Sequence, residues 1–597
     1  MSVRNLHYLF RPDSVALIGA STEPGSIGSV IARNLLRAGF QGPVLPVHPH
    51  HRSVEGVLAY PSVASLPFAP DLAVIATPPG TVAGLVAELG ARGTRAVVII
   101  SAGFTDEGAS RGAILEAAKP HLLRIVGPNT LGVLSPNQGL NASFAHLSPD
   151  PGHLAFVTQS GAVVTAVIDW AKPRGIGFSH LVSLGDMADV DFGDLLDFLA
   201  SDEQTRAILL YVEGIRHARK FMSAARAAAR MKPVIVVKGG RHPEGARAAA
   251  SHTGALAGSD DVYDAAFRRA GMLRVNSLEE LFTATETLAD VRLPAGDRLT
   301  IVTNGGGMGV LAADELAARG GRLATLSDGV LAELDKVLPA SWSAANPVDI
   351  IGDAPPNRLA DAVRVLLEHP ADMDALLVLN CPTAVASPAD SARALVAVVR
   401  ERPADLPLLT SWVGASTAAA GREVLNAAGF ATYDSPGLAV SAFMQLVDFV
   451  RNQQLLMETP PSVPEMFEPD SSSVRRLLDE RLQGGWSGWL DQLDVEQVLV
   501  AYGIESVRST IAGSPQEAGR VARDLGVPVA LKIRSSDLTH KSDVGGVLLN
   551  LLGEQAVIEA ARQMQAMVGK AAPEARLAGF LIQPMVQRPG AHELIIG

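Results

Sequence analysis

Three times along the chain a short apolar run gives way to a Gly/Ser-rich turn and then to an Ala-rich stretch with helical spacing. The runs are "SVALIGAS" (14–21), "HLAFVTQSGAV" (153–163) and "RLTIVTNGGGMGV" (298–310). Each opens a region where further apolar runs recur at the spacing of strand, helix, strand units. "DLAVIAT", "RAVVIISAG" and "LLRIVGPN" follow the first; "SHLVSLGD", "AILLYVEG" and "PVIVVKGG" the second; "RLATLS", "DALLVLNCP" and "PLLTSWVG" the third. Runs that are apolar throughout, without alternation, suit parallel strands covered by helices on both faces. The pattern predicts an α/β architecture of three doubly wound domains in series, over 1–145, 146–295 and 296–455.

From 456 to 490 the periodicity lapses into a stretch rich in Pro, Ser and acids, "ETPPSVPEMFEPDSSS", which reads as a linker. A fourth unit, 491–597, alternates helix and strand through "LDVEQVLVAYGI", "PVALKIRS" and "GVLLNLLGEQAVIEAARQM". The sequence closes on the apolar run "AHELIIG", so the expectation is that this unit is the N-terminal part of a larger domain.

Composition sharpens the picture. A chain of 597 residues exceeds one core, and 48% hydrophobic with only 5% aromatic residues means cores of Ala, Val, Leu and Ile. The net charge of −12, with no dense Lys/Arg run, argues against a nucleic-acid partner. One cysteine, Cys381, excludes an intrachain disulfide framework and a multi-cysteine zinc cage, and fits a reducing compartment. The start "MSVRNLHYLFRPDS" lacks a signal-like apolar core, and no later run is long enough to span a bilayer. A cytoplasmic protein with no membrane partner is expected.

Candidate chemistry gathers at the turns. After the first strand the glycines Gly19, Gly25 and Gly28 are spaced more loosely than the dinucleotide fingerprint. The next strand, "GPVLPV", runs into His48-Pro-His50-His51-Arg52, where that fingerprint wants an acid; this basic corner suits a nucleotide with a phosphorylated ribose, or is merely solvated. In "TQSGAVVTAVIDWA", Gln159, Ser160 and Gly161 stand at the mouth of a helix whose free N–H groups and dipole attract anions. A hydrolase elbow fits worse, because Thr158 stands where Gly-x-Ser-x-Gly needs glycine.

Glu213 closes an apolar strand, where ligand sites of open sheets lie, and a carboxylate there can orient an imidazole. His252, in "ASHTGALAGS" among small residues, follows the next strand and can reach the same crevice, although most loop histidines carry no function. Lys532, inside an apolar strand, needs an anionic partner if buried, or snorkels from an edge; Gly545 and Gly546 mark a turn after it. The glycines of "NGGGMG" (304–309) serve an anion turn or tight packing equally well. Cys381 reads as a packing residue, and the acidic run "DMADVDFGDLLD" (186–197) as an exposed loop entering a helix rather than a calcium loop.

"GPNTLGV" (127–133), "QSGAVV" (159–164), "SHTGALAG" (251–258) and "LKIRSSDLTHKSDVGGV" (531–547) together resemble, in order, the motifs of the NDP-forming acyl-CoA synthetases, which include succinyl-CoA synthetase and ADP-forming acetyl-CoA synthetase. The resemblance implies a CoA-binding Rossmann domain, two flavodoxin-like domains and an ATP-grasp domain, here truncated. It implies that His252 is phosphorylated beside Glu213, that the Gln159–Gly161 turn holds the phosphoryl group, and that a second helix after "NPVDIIGDAPPN" shares that task. By the same resemblance Gly19, Ser21, Gly25, Gly28, Arg52, Ser101 and Asn129 contact CoA. Lys532, Gly545, Gly546, Gln583 and Glu593 contact ATP, and His540 is a second phosphate carrier. The implied chemistry passes phosphate from ATP to histidine and on to a short carboxylic acid such as acetate; CoA then attacks the acyl phosphate. CoA or acetyl-CoA, ATP/ADP and Mg2+ are the implied cofactors, and a homo-oligomer the implied assembly. "RPDSVALIGAS", "GPVLPVHP" and "GLNASF" further resemble bacterial members fused to a GNAT acetyltransferase that modifies protein lysines. Some of those use the synthetase region only to sense acetyl-CoA, which is the alternative function.

Overall fold

In a computed structural model, each apolar run predicted as a strand contains one. The structure describes residues 3–104, 107–253, 259–403, 405–458, 468–483, 490–535, 537–538 and 540–588, with backbone only at 107–110, 249–253 and 290. The chain forms two compact units, Met1–Glu458 and Thr459–Gly597.

The first sheet is parallel and holds β1 (Val15–Ile18), β2 (Val44–Val47), β3 (Leu72–Ile75), β4 (Ala96–Ile99) and β5 (Arg124–Val126) in the order β2-β1-β3-β4-β5. Every residue of β1 to β4 is buried, as unbroken apolar runs require. Strand order reverses between β1 and β3, and the Gly19–Gly28 turn into helix α1 (Ile27–Arg37) occupies that switch point.

The second sheet contains β6 (Gly132–Ser135), β7 (Leu140–Ser143), β8 (Pro151–Thr158), β9 (Phe178–Ser183), β10 (Ala207–Val212), β11 (Val234–Lys238) and β12 (Leu273–Val275). Its order is β12-β11-β10-β8-β9-β6-β7, parallel from β12 to β9. Sequence pattern places "GVLS" and "LNAS" before the division near 145, whereas β6 and β7 join the second sheet antiparallel at β9. Helix α2 (Gly161–Ala171) follows β8 at this sheet's switch point; α3 (Pro243–Thr253) and α4 (Asp260–Arg269) follow β11.

A polar chain, buried except at Arg11, ties the two domains. Arg11 donates to Asp202 at 2.5 Å, Asp202 accepts from Thr205 at 2.7 Å and from His180 Nε2 at 3.2 Å, and Ser135 Oγ donates to His180 Nδ1 at 2.9 Å. Serine, histidine and aspartate are linked as in a hydrolase triad, but Ser135 and His180 are 0% exposed, so no substrate reaches them. Burial depresses the His180 pKa, and the pattern is satisfied by neutral imidazole with its proton on Nε2. Burial alone raises the Asp202 carboxyl, yet the bonds from His180 and Thr205 and the Arg11 charge hold it well below the usual range.

The third sheet runs β13 (Arg298–Thr303), β14 (Arg322–Leu323), β15 (Val348–Asp349), β16 (Ala375–Asn380), β17 (Leu408–Trp412) and β18 (Thr432–Tyr433), in the order β14-β13-β16-β17-β18 with β15 also on β13. Helix α5 (Gly306–Ala318) follows β13 and α6 (Pro356–Glu368) follows β15. The long helix α7 (Pro436–Met457) buries Phe443 and Val447 against this sheet, while Asn452 and Gln453 donate to Met272 and Gly271 carbonyls of the second domain, both at 2.8 Å.

In the second unit, the expected linker contains a helix, α8 (Ser471–Gln483), whose Arg481 makes a bidentate pair at 2.9 and 2.7 Å with Asp494 of α9 (Gln492–Ala501). Only Val474 of α8 is buried, so the segment carries almost no apolar periodicity to read. The sheet β19 (Thr510–Ala512), β20 (Val529–Ile533), β21 (Val547–Leu551) and β22 (Phe580–Pro584) is antiparallel in the order β19-β22-β20-β21. Among the described residues, no helix is long and apolar enough to cross a membrane.

Candidate active site

The switch points of the first two sheets open into one cleft of about 440 Å3. Thr77, Ser101 and Asn129 reach it from the ends of β3, β4 and β5, and Gln159, Ser160 and Gly161 from the end of β8. Two of the expected CoA contacts, Ser101 and Asn129, therefore share a wall with the expected phosphate turn, whereas Gly19, Ser21, Gly25, Gly28 and Arg52 are not among the residues that line it.

The Rossmann side is built by close backbone approach. Gly19 has φ +89°, and a Cβ there would stand 2.6 Å from the Ala76 carbonyl oxygen; one on Gly28 would stand 2.1 Å from the Gly19 oxygen. Gly25, with φ +81°, has open space around it. Ser21 Oγ accepts from the Glu23 N–H at 3.0 Å, and Ser26 caps α1. Ser101 Oγ donates to the Thr77 carbonyl, and the Ser101 carbonyl accepts from the Asn129 N–H at 2.9 Å. The basic corner lies beside the turn: His48 Nδ1 accepts from the N–H groups of His50 and His51, both at 3.2 Å, and His51 Nε2 is 3.4 Å from Thr22 Oγ1. Burial, with His51 and His50 adjoining, lowers the His48 pKa, so His48 acts as a neutral brace while Arg52 is exposed.

Across the cleft, α2 begins at Gly161 with Ser160 as its N-cap and no side-chain cap on its first N–H groups. Those donors face the cleft, the arrangement that binds phosphoryl oxygens. Gln159 is buried, and its Oε1 accepts from the N–H groups of Glu213 at 2.6 Å and Gly214 at 2.8 Å. The turn and the end of β10 are thus held together. Glu213 stands beside Tyr211 and Gly239: a Cβ on Gly239 would lie 2.8 Å from Tyr211 Oη and 3.6 Å from Glu213 Cγ. Burial first, and the Glu213 charge second, raise the Tyr211 pKa.

His252 belongs to α3, next to its last residue. Its side chain, and Gly254 to Gly258, lie outside the described residues. Sequence reading passed over Lys238, which is 3% exposed, donates to the Gly239 carbonyl and sits 4.6 Å from the Tyr263 ring centre. Burial depresses its pKa, opposed by Asp260 and Glu213. A lysine closing the run "VIVVK" at the crevice end of a strand was the available signal.

In the third domain, α5 and α6 both start without side-chain caps. Asn304 and Cys381 exchange hydrogen bonds of 2.9 and 2.7 Å, and a Cβ on Gly305 would meet Cys381 Sγ at 2.6 Å. Burial, and then Asp349, raise the Cys381 thiol, which suits packing rather than nucleophilic attack. The acidic run departs from expectation: Asp191 and Asp194 are buried, Asp191 caps the helix Phe192–Ser201, and Asp194 pairs with Arg124 at 3.2 Å and Lys220 at 2.5 Å. Partners distant in sequence make this burial possible, and local pattern does not reveal them.

In the second unit, Lys532 and Gln583 share one face of adjacent strands, since Lys532 pairs with Leu581 and Ala530 with Gln583. Gln583 donates to Ser509 at 2.7 Å, and Ser509 donates to Glu496. Burial first, and the neighbouring Lys541 second, lower the Lys532 pKa against the pull of Glu496. The positive charge of Lys541 adds to that of Lys532 and favours an anion there; sequence pattern alone does not mark Lys541 or Glu496. Gly545 has φ +73°, and the Gly546 carbonyl accepts from the Ile533 N–H at 2.8 Å. His540 is exposed at the head of the short turn Lys541–Val544, and Glu593 lies outside the described residues.

Known proteins match along the whole chain. Family profiles match a CoA binding domain at 13–136, a succinyl-CoA ligase like flavodoxin domain at 151–288, a ligase-CoA domain at 299–442 and an ATP-grasp domain at 482–597. The chain is 37% identical over 596 residues to acetate–CoA ligase [ADP-forming] I of Archaeoglobus fulgidus, covering 99% of this chain and 84% of that protein. It is 34% identical over 597 residues to 4-hydroxybutyrate–CoA ligase [ADP-forming] of Nitrosopumilus maritimus, with 99% and 84% covered. Among solved structures, the dinucleotide forming acetyl-coenzyme A synthetase 1 of Ca. Korarchaeum cryptofilum, in complex with phosphate and ADP, superposes with a TM-score of 0.68 at 38% identity, over 76% of this chain and 98% of that one.

Proposed function

Because the chain belongs to the ADP-forming acyl-CoA synthetases, related to succinyl-CoA ligase, we propose that it joins a short carboxylic acid to coenzyme A while ATP is cleaved to ADP and phosphate. The observation that carries this reading is the single cleft in which Ser101 and Asn129 face the open helix N-terminus at Gln159–Gly161.

In this reading the γ-phosphoryl group of ATP passes to an imidazole nitrogen of His252 and ADP leaves. A carboxylate oxygen of the acid then attacks phosphorus and the N–P bond breaks, giving an acyl phosphate. The CoA sulfur attacks the acyl carbonyl, phosphate departs, and the thiol proton leaves with it. Imidazole suits the middle role because it is neutral near pH 7, nucleophilic, and a good leaving group from phosphorus. Glu213 orients that ring and favours its charged form as the phosphoryl group arrives. The N–H groups of α2 hold the phosphoryl oxygens without needing to reorganise.

Gly19, Ser21, Gly25, Gly28 and Arg52 take the nucleotide end of CoA, leaving its thiol arm to run past Ser101 and Asn129. Lys532, Gly545, Gly546, Gln583 and Glu593 serve ATP, with Lys541 beside them and His540 as the second carrier. Magnesium supplies charge screening at the nucleotide phosphates when bound. Among the described residues no group of three or more His, Cys, Asp or Glu is placed to hold a metal, and no side chain is assigned to it. The lone cysteine fits a reducing, cytoplasmic setting, and we take the working form to be a homo-oligomer.

The test is a product balance with the full-length protein, Mg-ATP, CoA and acetate or butyrate. The reading requires thioester, ADP and phosphate in equal amounts; thioester accompanied by AMP and pyrophosphate would refute it.

A further inference from the structure

The reaction sequence above leaves the buried ammonium of Lys238 without a task. A lysine that is 3% exposed gives up the hydration of its charge, a loss offset only where acceptors and opposite charge surround it. Lys238 ends β11 in register with Val212, the residue before Glu213. Gly239 stands between the two charged side chains. Its N–H donates to the Val212 carbonyl at 2.9 Å, its carbonyl accepts from Lys238 Nζ, and a Cβ on it would lie 3.6 Å from Glu213 Cγ. With no side chain on Gly239, the Glu213 side chain packs onto the residue whose carbonyl the ammonium holds.

Tyr263 of α4 touches both the lysine and the turn that carries Glu213. Its ring centre is 4.6 Å from Lys238 Nζ, a cation over an aromatic face, and its Oη accepts from the Ile215 N–H at 3.3 Å. At the start of α4, Asp260 accepts from Arg274 of β12 at 2.8 and 2.7 Å, and Arg274 Nη1 lies 3.3 Å from Asp264. Burial favours the neutral form of Lys238, with Arg274 acting the same way, while Asp260 and Glu213 favour the ammonium. On its own strand Glu213 has Tyr211 beside it, and Arg216 and His217 are exposed on the loop that follows. From α3 the group brought to Glu213 by the ligase reading is His252. A carboxylate and an ammonium placed in this way each favour the charged form of the other.

We propose that Lys238 is a positioning residue for phosphoryl transfer: its charge keeps Glu213 a carboxylate, and its contacts with Gly239 and Tyr263 hold the Glu213–Ile215 turn in place. The assignment rests on the ligase reading above. Removing the ammonium takes a positive charge from beside Glu213, so the carboxyl takes up a proton at higher pH, and so does an imidazole next to it. Transfer needs the carboxylate and the neutral imidazole together. The acid limb of the activity therefore moves to higher pH when Lys238 loses its charge.

The experiment measures kcat and KM for thioester formation from acetate or butyrate, from mildly acidic to mildly basic pH. It uses the full-length wild type, Lys238→Met, Lys238→Arg, Tyr263→Phe, Glu213→Gln and the double variant Lys238→Met with Glu213→Gln. We expect Lys238→Met to lower kcat near neutral pH by ~10-fold or more, to leave KM for CoA within about twofold, and to move the acid limb up by ~1 pH unit. Lys238→Arg should return the limb to its wild-type position. Tyr263→Phe keeps the ring and loses the bond from Ile215, so it should lower kcat with the limb unmoved. In the double variant the two losses should not multiply, because Lys238 acts through Glu213. Should Lys238→Met not fold, Lys238→Gln reads the same limb. A limb that stays in place when Lys238 is neutralised, or a double variant whose loss is the product of the single losses, would overturn the assignment while leaving the ligase reading intact. A wild type that forms thioester with neither acid overturns the ligase reading and this assignment with it.

Discussion

The side-chain carbonyl of Gln159 accepts the backbone N–H groups of Glu213 at 2.6 Å and Gly214 at 2.8 Å, so the phosphate turn and the end of the strand bearing Glu213 move as one piece. Gln159→Ala leaves two inward N–H groups unsatisfied and should cost about 1–3 kcal/mol for each. Gln159→Glu keeps the acceptor but sets a negative charge where phosphoryl oxygens bind. It should melt close to wild type in a thermal scan yet lose thioester formation by ~10-fold or more.

The glycines of the first turn separate by what surrounds them. Gly28→Ala forces a Cβ to 2.1 Å from the Gly19 oxygen and must push α1 off the turn. Gly25 faces open space, so Gly25→Ala carries only the penalty of positive φ, about 1–2 kcal/mol. Calorimetric titration with CoA should show a large loss for Gly28→Ala and a small one for Gly25→Ala; equal losses would mean that close packing is not what shapes the site.

His180 gives a pH dependence of defined sign. Its folded pKa is lowered by burial, so below the unfolded value of about 6.5 only the unfolded chain takes up the proton. Stability is therefore retained above that pH and falls as pH drops, by about 1.4 kcal/mol per unit for one proton. Apparent melting temperatures between pH 8 and 5 should decline less steeply in His180→Gln than in wild type, even though the variant starts lower.

Lys532 is a cation lodged in an apolar strand with Lys541 nearby. Lys532→Met should leave the melting temperature near wild type or raise it, because a half-buried cation in an otherwise buried strand is replaced by a hydrophobe. ADP affinity should fall by ~10-fold or more, while CoA affinity stays unchanged. A parallel loss of CoA binding would show global damage instead.

Much of this was legible in the sequence because unbroken apolar runs identify buried parallel strands, and the glycine turns after them mark the switch points. The runs over 72–75, 96–99 and 207–212 all became strands with fully or nearly fully buried residues. What local pattern could not show was partnership at a distance. The hairpin of β6 and β7 reads equally well at the edge of either sheet, and only the structure chooses the second. Asp194 looked like surface until Arg124 and Lys220 were found to cover it. The suggested acetyltransferase fusion gains no support from the relatives described, which are ligases.

The central claim is that His252 carries the phosphoryl group between nucleotide and acid. It is tested most directly in the reverse direction, by incubating the full-length protein with acetyl-CoA and radiolabelled inorganic phosphate and then following label on the protein. We predict label that is stable to base, lost in acid and absent from His252→Ala, while His252→Ala still binds CoA. Label that persists in His252→Ala, or a wild type that forms acetyl phosphate and CoA without ever being labelled, would contradict the account.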